Sequence, residues 1–427
     1  MPRNRPRHPT TGIRPPAPAP VSTLAAATPA PSHRLGPFDR LFLAGGRPGR
    51  VPTAMLVLDF DGEAPHPARF AERILERARH LPALNVLRPE PGARTFPARR
   101  TPLSADAHVH HVDAATADGT PSLLAALLVR PFPCPPHPPW DLTVIRTGGQ
   151  DARFSLCYRI HHAVQDGVGA AHTLLALTAD SPVRGPFPHE RGRPTVRGAL
   201  QAARELARSP RSPHPYGAAS GRFTVDVRDA REDRVRELAR HHGSTVNDVC
   251  LAALALALGP RLHDGPRVRT DGGTLPIAVP MSYRTYADRD APGNRMLAVR
   301  LDLPVTAHDL DQAVRLVRGT TEPLRRHRAK DSRRTALALL PDGLHAAALR
   351  TNTRATGFIA SSLTFPEPAH VNGARMTGAT ALFPPDETLT AYVSFTRASG
   401  RIRCALVHDE LVWLPGDLTE RWLTALG

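Results

Sequence analysis

The hydrophobic pattern in the first half of the chain predicts a strand that is followed at once by a helix. Apolar and polar positions alternate over residues 154–162, which is typical of a strand with one buried face. The positions that share this face are Phe154, Leu156, Tyr158, Ile160 and His162. Apolar residues then recur at helical spacing over residues 167–178. The pattern therefore predicts a histidine at the end of a strand, just before a helix.

Similar patterns predict the other elements of this half. A partly alternating strand covers residues 51–60 and ends at an Asp-Gly turn. An amphipathic helix covers residues 67–81, and a short apolar helix with Pro121 in its first turn covers residues 120–129. The apolar face of the helix over 67–81 consists of Phe70, Ile74, Ala78 and Leu81.

The second half mixes strands and helices irregularly. A helix over residues 246–258 is apolar nearly all round, so we expect it to be deeply buried. A second helix is predicted over 232–241, and Gly-Ser-Thr at 243–245 separates the two. The predicted strands are 222–227, 275–281, 296–303, 388–395 and 401–407. This mixture indicates an α/β fold with mixed sheets in two halves.

Composition divides the chain into four segments. Residues 1–34 are rich in Pro, Ala, Thr and Arg without periodicity, which predicts a disordered tail. The first folded half is expected over 35–180 and the second over 221–427. A basic stretch rich in Pro and Gly, 181–220, is expected to be the crossover linker between them.

The chain has the composition of a globular protein. Its 427 residues correspond to about two domains, and 41% of them are hydrophobic. No apolar run approaches the length of a membrane span, and prolines interrupt the N-terminal segment where a signal peptide would need an apolar run. The four cysteines lie far apart and are expected to be small buried side chains. We therefore expect a cytoplasmic protein.

The net charge of +16 comes almost entirely from arginine, because Lys330 is the only lysine. These arginines are scattered along the whole chain, which favours a solvated basic surface over a specific nucleic-acid site. Contacts with anionic membranes or with the phosphates of coenzyme A remain open.

The segment 161–167, His-His-Ala-Val-Gln-Asp-Gly, is the strongest candidate for chemistry. His162 is expected to point into a partly dry space, where desolvation keeps an imidazole neutral and able to act as a general base. A buried Asp166 needs a cationic partner or several donors, and Gly167 permits a turn or a close backbone approach. Two packed histidines without function are the alternative.

A metal site is disfavoured at both histidine clusters. On a strand, His161 and His162 point to opposite faces and cannot both reach one ion without distortion. His108 and His110 share a face, but no acidic or cysteine cluster stands beside them in the sequence. We therefore expect no metal.

Five segments together resemble a known family. Residues 161–167 resemble the HHxxxDG motif of acyltransferases that use coenzyme A. The other segments are 37–43 (PFDRLFL), 137–140 (HPPW), 244–249 (STVNDV) and the block 279–284 (VPMSYR) with 293–295 (GNR). Their order and spacing resemble those of bacterial wax ester synthase/diacylglycerol acyltransferases from about residue 35 to the C-terminus.

This resemblance implies a chloramphenicol acetyltransferase-like fold, in which two mixed-sheet α/β halves enclose a tunnel. It implies transfer of a long-chain acyl group from acyl-CoA to diacylglycerol or a long-chain alcohol, without a cofactor or a covalent intermediate. Contact with a membrane or lipid inclusion would be peripheral, and no specific nucleic-acid partner is expected.

The resemblance also implies roles for individual residues. His162 would be the general base, and His161, Asp166 and Asn247 would complete the catalytic set. Gly167 and Arg284 would support it, with Arg284 paired to Asp166. For Asn247, a hydrogen bond in the active site and a polar position at a helix N-terminus are both open.

Two departures from the family pattern leave alternatives open. Residues 361–366 (SSLTFP) stand where the family has N-V-P-G-P, and Pro139 replaces the leucine of its P-L-W segment. A divergent member that acylates the hydroxyl or amine of a specialised metabolite is one alternative. A non-catalytic lipid-binding protein is another. A peptide-synthetase condensation domain is disfavoured, because no carrier-protein or adenylation segment accompanies it in this sequence.

Overall fold

The structure, a computed structural model, describes most of the chain from residue 33 onward. The described ranges are 33–45, 51–90, 92–97, 102–114, 120–147, 152–183, 193–200, 220–262, 273–326, 328–338, 356–385, 389, 391–412, 414 and 416–427. The predicted tail, except for residues 33 and 34, and much of the predicted linker lie outside these ranges.

The strands are distributed along the described chain from residue 53 to residue 409. In chain order they are β1 (Thr53–Asp61), β2 (Val109–Ala114), β3 (Trp140–Thr147), β4 (Arg153–His161), β5 (Phe223–Arg231), β6 (Thr274–Ser282), β7 (Met296–Pro304), β8 (Phe358–Thr364), β9 (His370–Val371), β10 (Ala374–Leu382), β11 (Ala391–Ala398) and β12 (Arg401–Asp409).

The α-helices alternate irregularly with these strands. They are α1 (Pro37–Gly45), α2 (Pro67–Ala78), α3 (Ala105–His108), α4 (Thr120–Val129), α5 (Gly167–Thr178), α6 (Glu232–His241), α7 (Val246–Leu262), α8 (Leu310–Arg326), α9 (Ala329–Ala338) and α10 (Leu418–Leu426). None of the described helices is both long enough and apolar enough to span a bilayer.

The hydrophobic pattern located most of the elements that it predicted. The helices over 120–129, 167–178 and 232–241 have the predicted bounds, and α7 extends four residues beyond its prediction. Helix α2 ends at Ala78, but Leu81 is still buried beside it. Strand β5 continues to Arg231, four residues past its predicted end. Of the predicted strand 388–395, residues 388 and 390 lie outside the described ranges.

Two six-stranded mixed sheets confirm the predicted fold class. The first has the order β2-β3-β4-β1-β10-β9, and the second has the order β5-β12-β11-β8-β6-β7. In the first sheet β2 is parallel to β3, whereas β4 and β10 flank β1 in antiparallel register. In the second, β8 is parallel to both β6 and β11. The strands β9 and β10, near the end of the chain, thus complete the sheet of the first half.

Apolar side chains fill the space around and between the sheets. One cluster packs α2 and α5 against the first sheet, and another surrounds α7, whose residues 249–255 are all buried. A third cluster joins Met55 and Val57 of β1 to Val225 of β5 and Val407 of β12. The two halves therefore share a hydrophobic core.

A half-buried ion-pair network also joins the halves. Arg403 on β12 contacts Asp59 on β1, and its Nε lies 2.7 Å from Oδ1 of Asp229 on β5. Because one guanidinium serves two carboxylates on different sheets, it fixes their relative position.

Three of the four cysteines are buried, as predicted, but Cys134 is exposed. It lies in the loop that follows α4, where neighbouring prolines keep the chain out of regular structure. The expectation of four buried thiols was therefore wrong at this position.

Candidate active site

His162 lies in a tight turn rather than on the strand. Strand β4 ends at His161, and the amide of Val164 donates to the carbonyl of His161 at 2.7 Å. The His162 amide donates to the carbonyl of Pro52 at 2.8 Å, which attaches the turn to the start of β1. Strand alternation therefore does not place the His162 side chain, and the prediction of a strand position was wrong by one residue.

The His162 ring nevertheless lies in an apolar environment. Its centroid is 4.1 Å from that of Phe42 and 5.3 Å from that of Phe383, with the latter ring edge-on. Burial lowers the pKa of His162, although a hydrogen bond to its own backbone, the charge of Asp166 and the bond to Asn294 act in the opposite direction. The imidazole is therefore neutral at pH 7, as a general base must be.

The Nδ1 atom of His162 is held by Asn294. The distance from Nδ1 to the Asn294 Oδ1 is 3.1 Å, and the Asn294 Nδ2 donates to the backbone carbonyl of His162 at 2.7 Å. Asn294 also contacts Asp39, whose Oδ1 accepts from both the backbone N and the Nδ2 of Asn294 at 2.7 Å. These contacts connect three distant parts of the sequence.

The predicted Asp166–Arg284 ion pair is confirmed. The Arg284 Nη2 donates to Asp166 Oδ2 at 2.7 Å, and both side chains are buried. The same carboxylate caps α5 by accepting from the amide of Gly169 at 2.8 Å, and it accepts from the amide of Arg295 at 2.8 Å. Burial raises the pKa of Asp166, but Arg284 and the two amides outweigh it, so the pKa is lowered overall.

Arg284 also organises the loop that carries Asn294. Its guanidinium donates to the carbonyls of Asp288, Ala291 and Gly293 at 2.6, 2.9 and 2.7 Å. The Gly293 amide in turn donates to the carbonyl of Val164 at 2.6 Å. The ion pair thus fastens a loop of the second half onto the His162 turn of the first half.

The two glycines near the turn serve different purposes. Gly167, the first residue of α5, has no heavy atom within 4 Å of an added Cβ and lines the cavity beside His162. At Gly169 an added Cβ would lie 2.7 Å from the Gln165 Cγ and 2.8 Å from the Arg284 Cζ. The close approach that the sequence suggested for Gly167 is therefore found at Gly169, two residues later.

The other predicted site residues lie beside this arrangement. His161 is buried, and its Nδ1 accepts from the Ala163 amide at 3.1 Å, so it stabilises the turn. Burial lowers its pKa to about 3. Asn247 lies in the first turn of α7 and does not line the cavity in the part of the chain that the structure describes. Its expected catalytic role stays a prediction.

A cavity of about 190 Å³ opens beside His162 between the two halves. The first half contributes residues such as Phe42 and Met55, and the second half contributes Met296, Leu382 and Tyr392. Ile359 and Ser361 on β8 also line it, so the stretch 361–366 that departs from the family pattern begins at the cavity wall. Most of the lining is apolar, which suits a hydrocarbon chain.

The sequence interpretation missed Asp39 and Asn294 as site residues. Both belong to segments that resemble the family, 37–43 and 293–295, but the resemblance of these segments did not indicate a role for either residue. Their contact depends on the Arg284 loop reaching the first half, and no local pattern reports that. Resemblance of both segments to one family was the only signal that could have found them.

Among the described residues, no three His, Cys, Asp or Glu side chains are arranged to hold a metal ion. His108 lies at the end of α3, where its Nδ1 is 2.8 Å from the Trp140 carbonyl oxygen and its ring stacks on the indole. It therefore does not share a strand face with His110, as the sequence had suggested.

Comparison with known proteins agrees with the site. A family model described as the wax ester synthase/diacylglycerol acyltransferase catalytic domain matches residues 35–212. A probable diacylglycerol O-acyltransferase of Mycobacterium tuberculosis is 29% identical over 221 residues, which cover 44% of this chain and 48% of that protein. A second putative diacylglycerol O-acyltransferase of that species is 29% identical over 286 residues, 57% of this chain and 62% of the relative. The matched region thus spans about half of the first relative's length.

Solved structures share the fold at low sequence identity. A wax ester synthase/diacylglycerol acyltransferase from Marinobacter aquaeolei aligns over 92% of this chain and 98% of its own, with a TM-score of 0.63 and 17% identity. The first condensation domain of the calcium-dependent antibiotic synthetase aligns over 93% and 96%, with a TM-score of 0.66 and 17% identity. This chain is therefore similar to wax ester synthase/diacylglycerol acyltransferases over residues 35–212, and it shares its fold with solved structures that include one of them.

Proposed function

We propose that this protein transfers a long-chain acyl group from acyl-CoA to the hydroxyl of diacylglycerol or a long-chain alcohol. The observation that carries the proposal is a neutral histidine, His162, in the wall of an apolar cavity between the two halves. The names of the relatives supply the class of substrates.

His162 is the group best suited to accept a proton there. Among the described residues that line the cavity, the other titratable side chain is Tyr392, and burial raises its pKa to about 12. A tyrosine with that pKa keeps its proton at neutral pH. When Nδ1 of His162 donates to the Asn294 Oδ1, the Nε2 atom is left as the basic nitrogen.

The reaction is a single displacement at the thioester. The acceptor hydroxyl attacks the carbonyl carbon while His162 takes its proton, and a C–O bond forms. The tetrahedral intermediate then collapses, the C–S bond breaks, and the imidazolium returns its proton to the thiolate of coenzyme A. General-base assistance of this kind contributes about 10²- to 10⁴-fold, and holding both substrates in one cavity contributes further.

A lipid acceptor has to reach the cavity from a membrane or lipid inclusion. The formal charge of +16 supports peripheral contact with anionic lipid. Co-sedimentation with vesicles of anionic phospholipid should therefore decrease as salt is raised, and equal binding to neutral vesicles would contradict this part of the proposal.

Release of the coenzyme A thiol tests the reaction directly. Purified protein is given palmitoyl-CoA with hexadecanol, with dioleoylglycerol, or with no acceptor. We expect release that depends on an acceptor and falls by at least about 10²-fold in His162→Ala. The control variant is His80→Ala, because His80 is an exposed histidine outside the cavity.

Three outcomes separate the alternatives. Release that persists in His162→Ala would exclude this histidine as the base. Failure of both lipid acceptors, with an amine or a small hydroxyl compound active instead, would favour a specialised acceptor. Binding of palmitoyl-CoA without release in the presence of any acceptor would favour a non-catalytic lipid-binding protein.

A further inference from the structure

We propose that Asp39 is a positioning residue for the base: by holding the amide of Asn294, it fixes the tautomer in which His162 carries its proton on Nδ1 and its lone pair on Nε2. The inference deepens the proposed function and rests on it, because a general base in this cavity needs a free nitrogen directed at the acceptor hydroxyl.

Asp39 is well placed to hold Asn294. It lies in the first turn of α1 with only 1% of its surface exposed, and its Oδ1 accepts from both the backbone N and the side-chain Nδ2 of Asn294. Its Oδ2 accepts from the Gly36 amide at 2.6 Å. Gly293 has a φ of 92°, and an added Cβ there would lie 3.3 Å from Oδ2, so a glycine lets the loop approach the carboxylate.

The hydrogen-bond network determines the orientation of the Asn294 amide. Its Nδ2 faces two acceptors, the Asp39 carboxylate and the His162 carbonyl. The reverse orientation would place Oδ1, an acceptor, against both of these oxygens, and the His162 carbonyl would lose the donor that it has here. The Asn294 Oδ1 must therefore face His162, and it can only accept. Nδ1 of His162 is then the donor, and Nε2 carries the lone pair.

The Asp39 carboxylate has no ion-pair partner among the described residues. The charge of Arg295 lowers the pKa of Asp39, and the charge of Asp39 raises the pKa of Tyr283. Burial raises the pKa of Asp39 to about 6 despite the bonds from Asn294 and Gly36. The hydrogen bonds from Asn294 and Gly36 offset part of this cost of burial, so the carboxylate and the Asn294 amide hold each other in place.

The competing explanation is that Asp39 only caps α1. The bond from the Gly36 amide to Oδ2 is the kind of contact that an acidic residue makes in the first turn of a helix. A cap would affect the stability of α1 and would act independently of Asn294. Positioning acts through Asn294, so the two explanations predict different behaviour in a double variant.

A double-mutant cycle distinguishes these explanations. Asp39→Ala and Asn294→Ala should each lower kcat on the order of 10- to 100-fold, with the KM for palmitoyl-CoA changed by less than about 3-fold. The double variant should lose no more than Asn294→Ala alone, because Asp39 acts through that side chain. Asp39→Asn, which keeps one acceptor oxygen, should retain more activity than Asp39→Ala. Losses that multiply in the double variant would overturn the proposal.

A second measurement is independent of acyl transfer. Diethyl pyrocarbonate acylates the unprotonated imidazole, and peptide mapping by mass spectrometry follows its reaction at His162 as a function of pH. In Asn294→Ala and Asp39→Ala the midpoint should move to lower pH, because the oxygen that stabilises the imidazolium is lost or released. An unchanged midpoint in both variants would overturn the inference even if kcat falls.

The control is Asp409→Asn, another buried aspartate that accepts from backbone amides but lies away from the cavity. We expect it to leave both kcat and the His162 midpoint unchanged. If the midpoint moves as expected in the Asp39 and Asn294 variants but the unaltered protein releases no coenzyme A, the Asp39 inference stands and the proposed reaction fails. If Asp39→Ala does not fold, Asp39→Asn and Asn294→Ala provide the same test.

Discussion

At the scale of single residues, the buried Asp166–Arg284 pair determines where the candidate base sits. The carboxylate is satisfied by one guanidinium and two amides, and the guanidinium by three carbonyls of the loop after β6. Because the guanidinium binds three carbonyls of this loop while it is paired to the carboxylate, the pair holds the loop in place. Asn294 reaches His162 only in that arrangement.

Replacement of Arg284 by methionine tests this role. Asp166 would become a buried charge without a cation, which costs about 3–5 kcal/mol when one partner of a buried pair is removed. We expect urea unfolding to show that the free energy of unfolding falls by this amount. The acceptor-dependent release of coenzyme A should fall as well. Arg222→Met is the control, because Arg222 pairs with Glu410 at an exposed site, where water and salt screen the charges. Equal losses for the two variants would contradict the assigned role.

At the scale of secondary structure, α7 is held at its N-terminus by a single buried carboxylate. Asp248 accepts from the Thr245 amide at 3.0 Å, from the Thr321 hydroxyl at 2.7 Å and from Arg325 at 3.0 Å. Thr321 and Arg325 lie on α8, so the contact fixes α8 against the deeply buried α7. Asp248, adjacent to Asn247, thus stabilises the fold of the second half.

Asp248 should contribute to stability in a way that depends on pH. Burial raises its pKa, but the bonds from Arg325, Thr321 and Thr245 outweigh it, so the pKa lies below the usual 3.8. The stabilisation is then present above about pH 4 and decreases as pH falls further, because the folded state must take up a proton. Urea unfolding gives the free energy of unfolding at pH 5 and at pH 3. Between these two pH values it should decrease less in Asp248→Asn than in the unaltered protein. The control is Asp113→Asn, at an exposed ion pair, which should leave this decrease in the free energy of unfolding unchanged. If Asp248→Asn showed the same decrease as the unaltered protein, the prediction would be contradicted.

At the scale of the whole molecule, the two halves share a sheet, a hydrophobic cluster and a cavity. Strand β10, from the second half of the sequence, pairs with β1 over residues 375–382 and lies inside the first sheet. The shared hydrophobic cluster and the Arg403 network add contacts that neither half has alone. The cavity beside His162 depends on the same arrangement, since both halves line it.

A fragment covering residues 33–220 should therefore not fold by itself. Without β10, the apolar strand β1 becomes an unpaired edge of the first sheet, which favours aggregation. We expect this fragment to elute as aggregates in size-exclusion chromatography and to lack a cooperative thermal transition. Co-expression with residues 220–427 should restore a soluble complex. A monomeric, cooperatively folded fragment would contradict the prediction.

The sequence by itself determined the elements whose periodicity is strong and local. The bounds of α4, α5 and α6, the buried α7 and the strand before His162 all follow from spacing that one segment carries. The Asp166–Arg284 pair came from family resemblance, and the structure confirms it. Strands such as β3 and β10 were not predicted, because their charged or small residues are buried only by contacts with other strands.

Tertiary structure alone decided how the candidate base is held. Asp39, His162 and Asn294 are separated by more than 100 residues at each step, and each looks locally like a helix, turn or loop residue. Hydrogen-bond partners at such distances depend on how the two sheets pack, which no local pattern encodes. The sequence therefore identified the histidine, and the packing of the two halves determined which of its nitrogens is free.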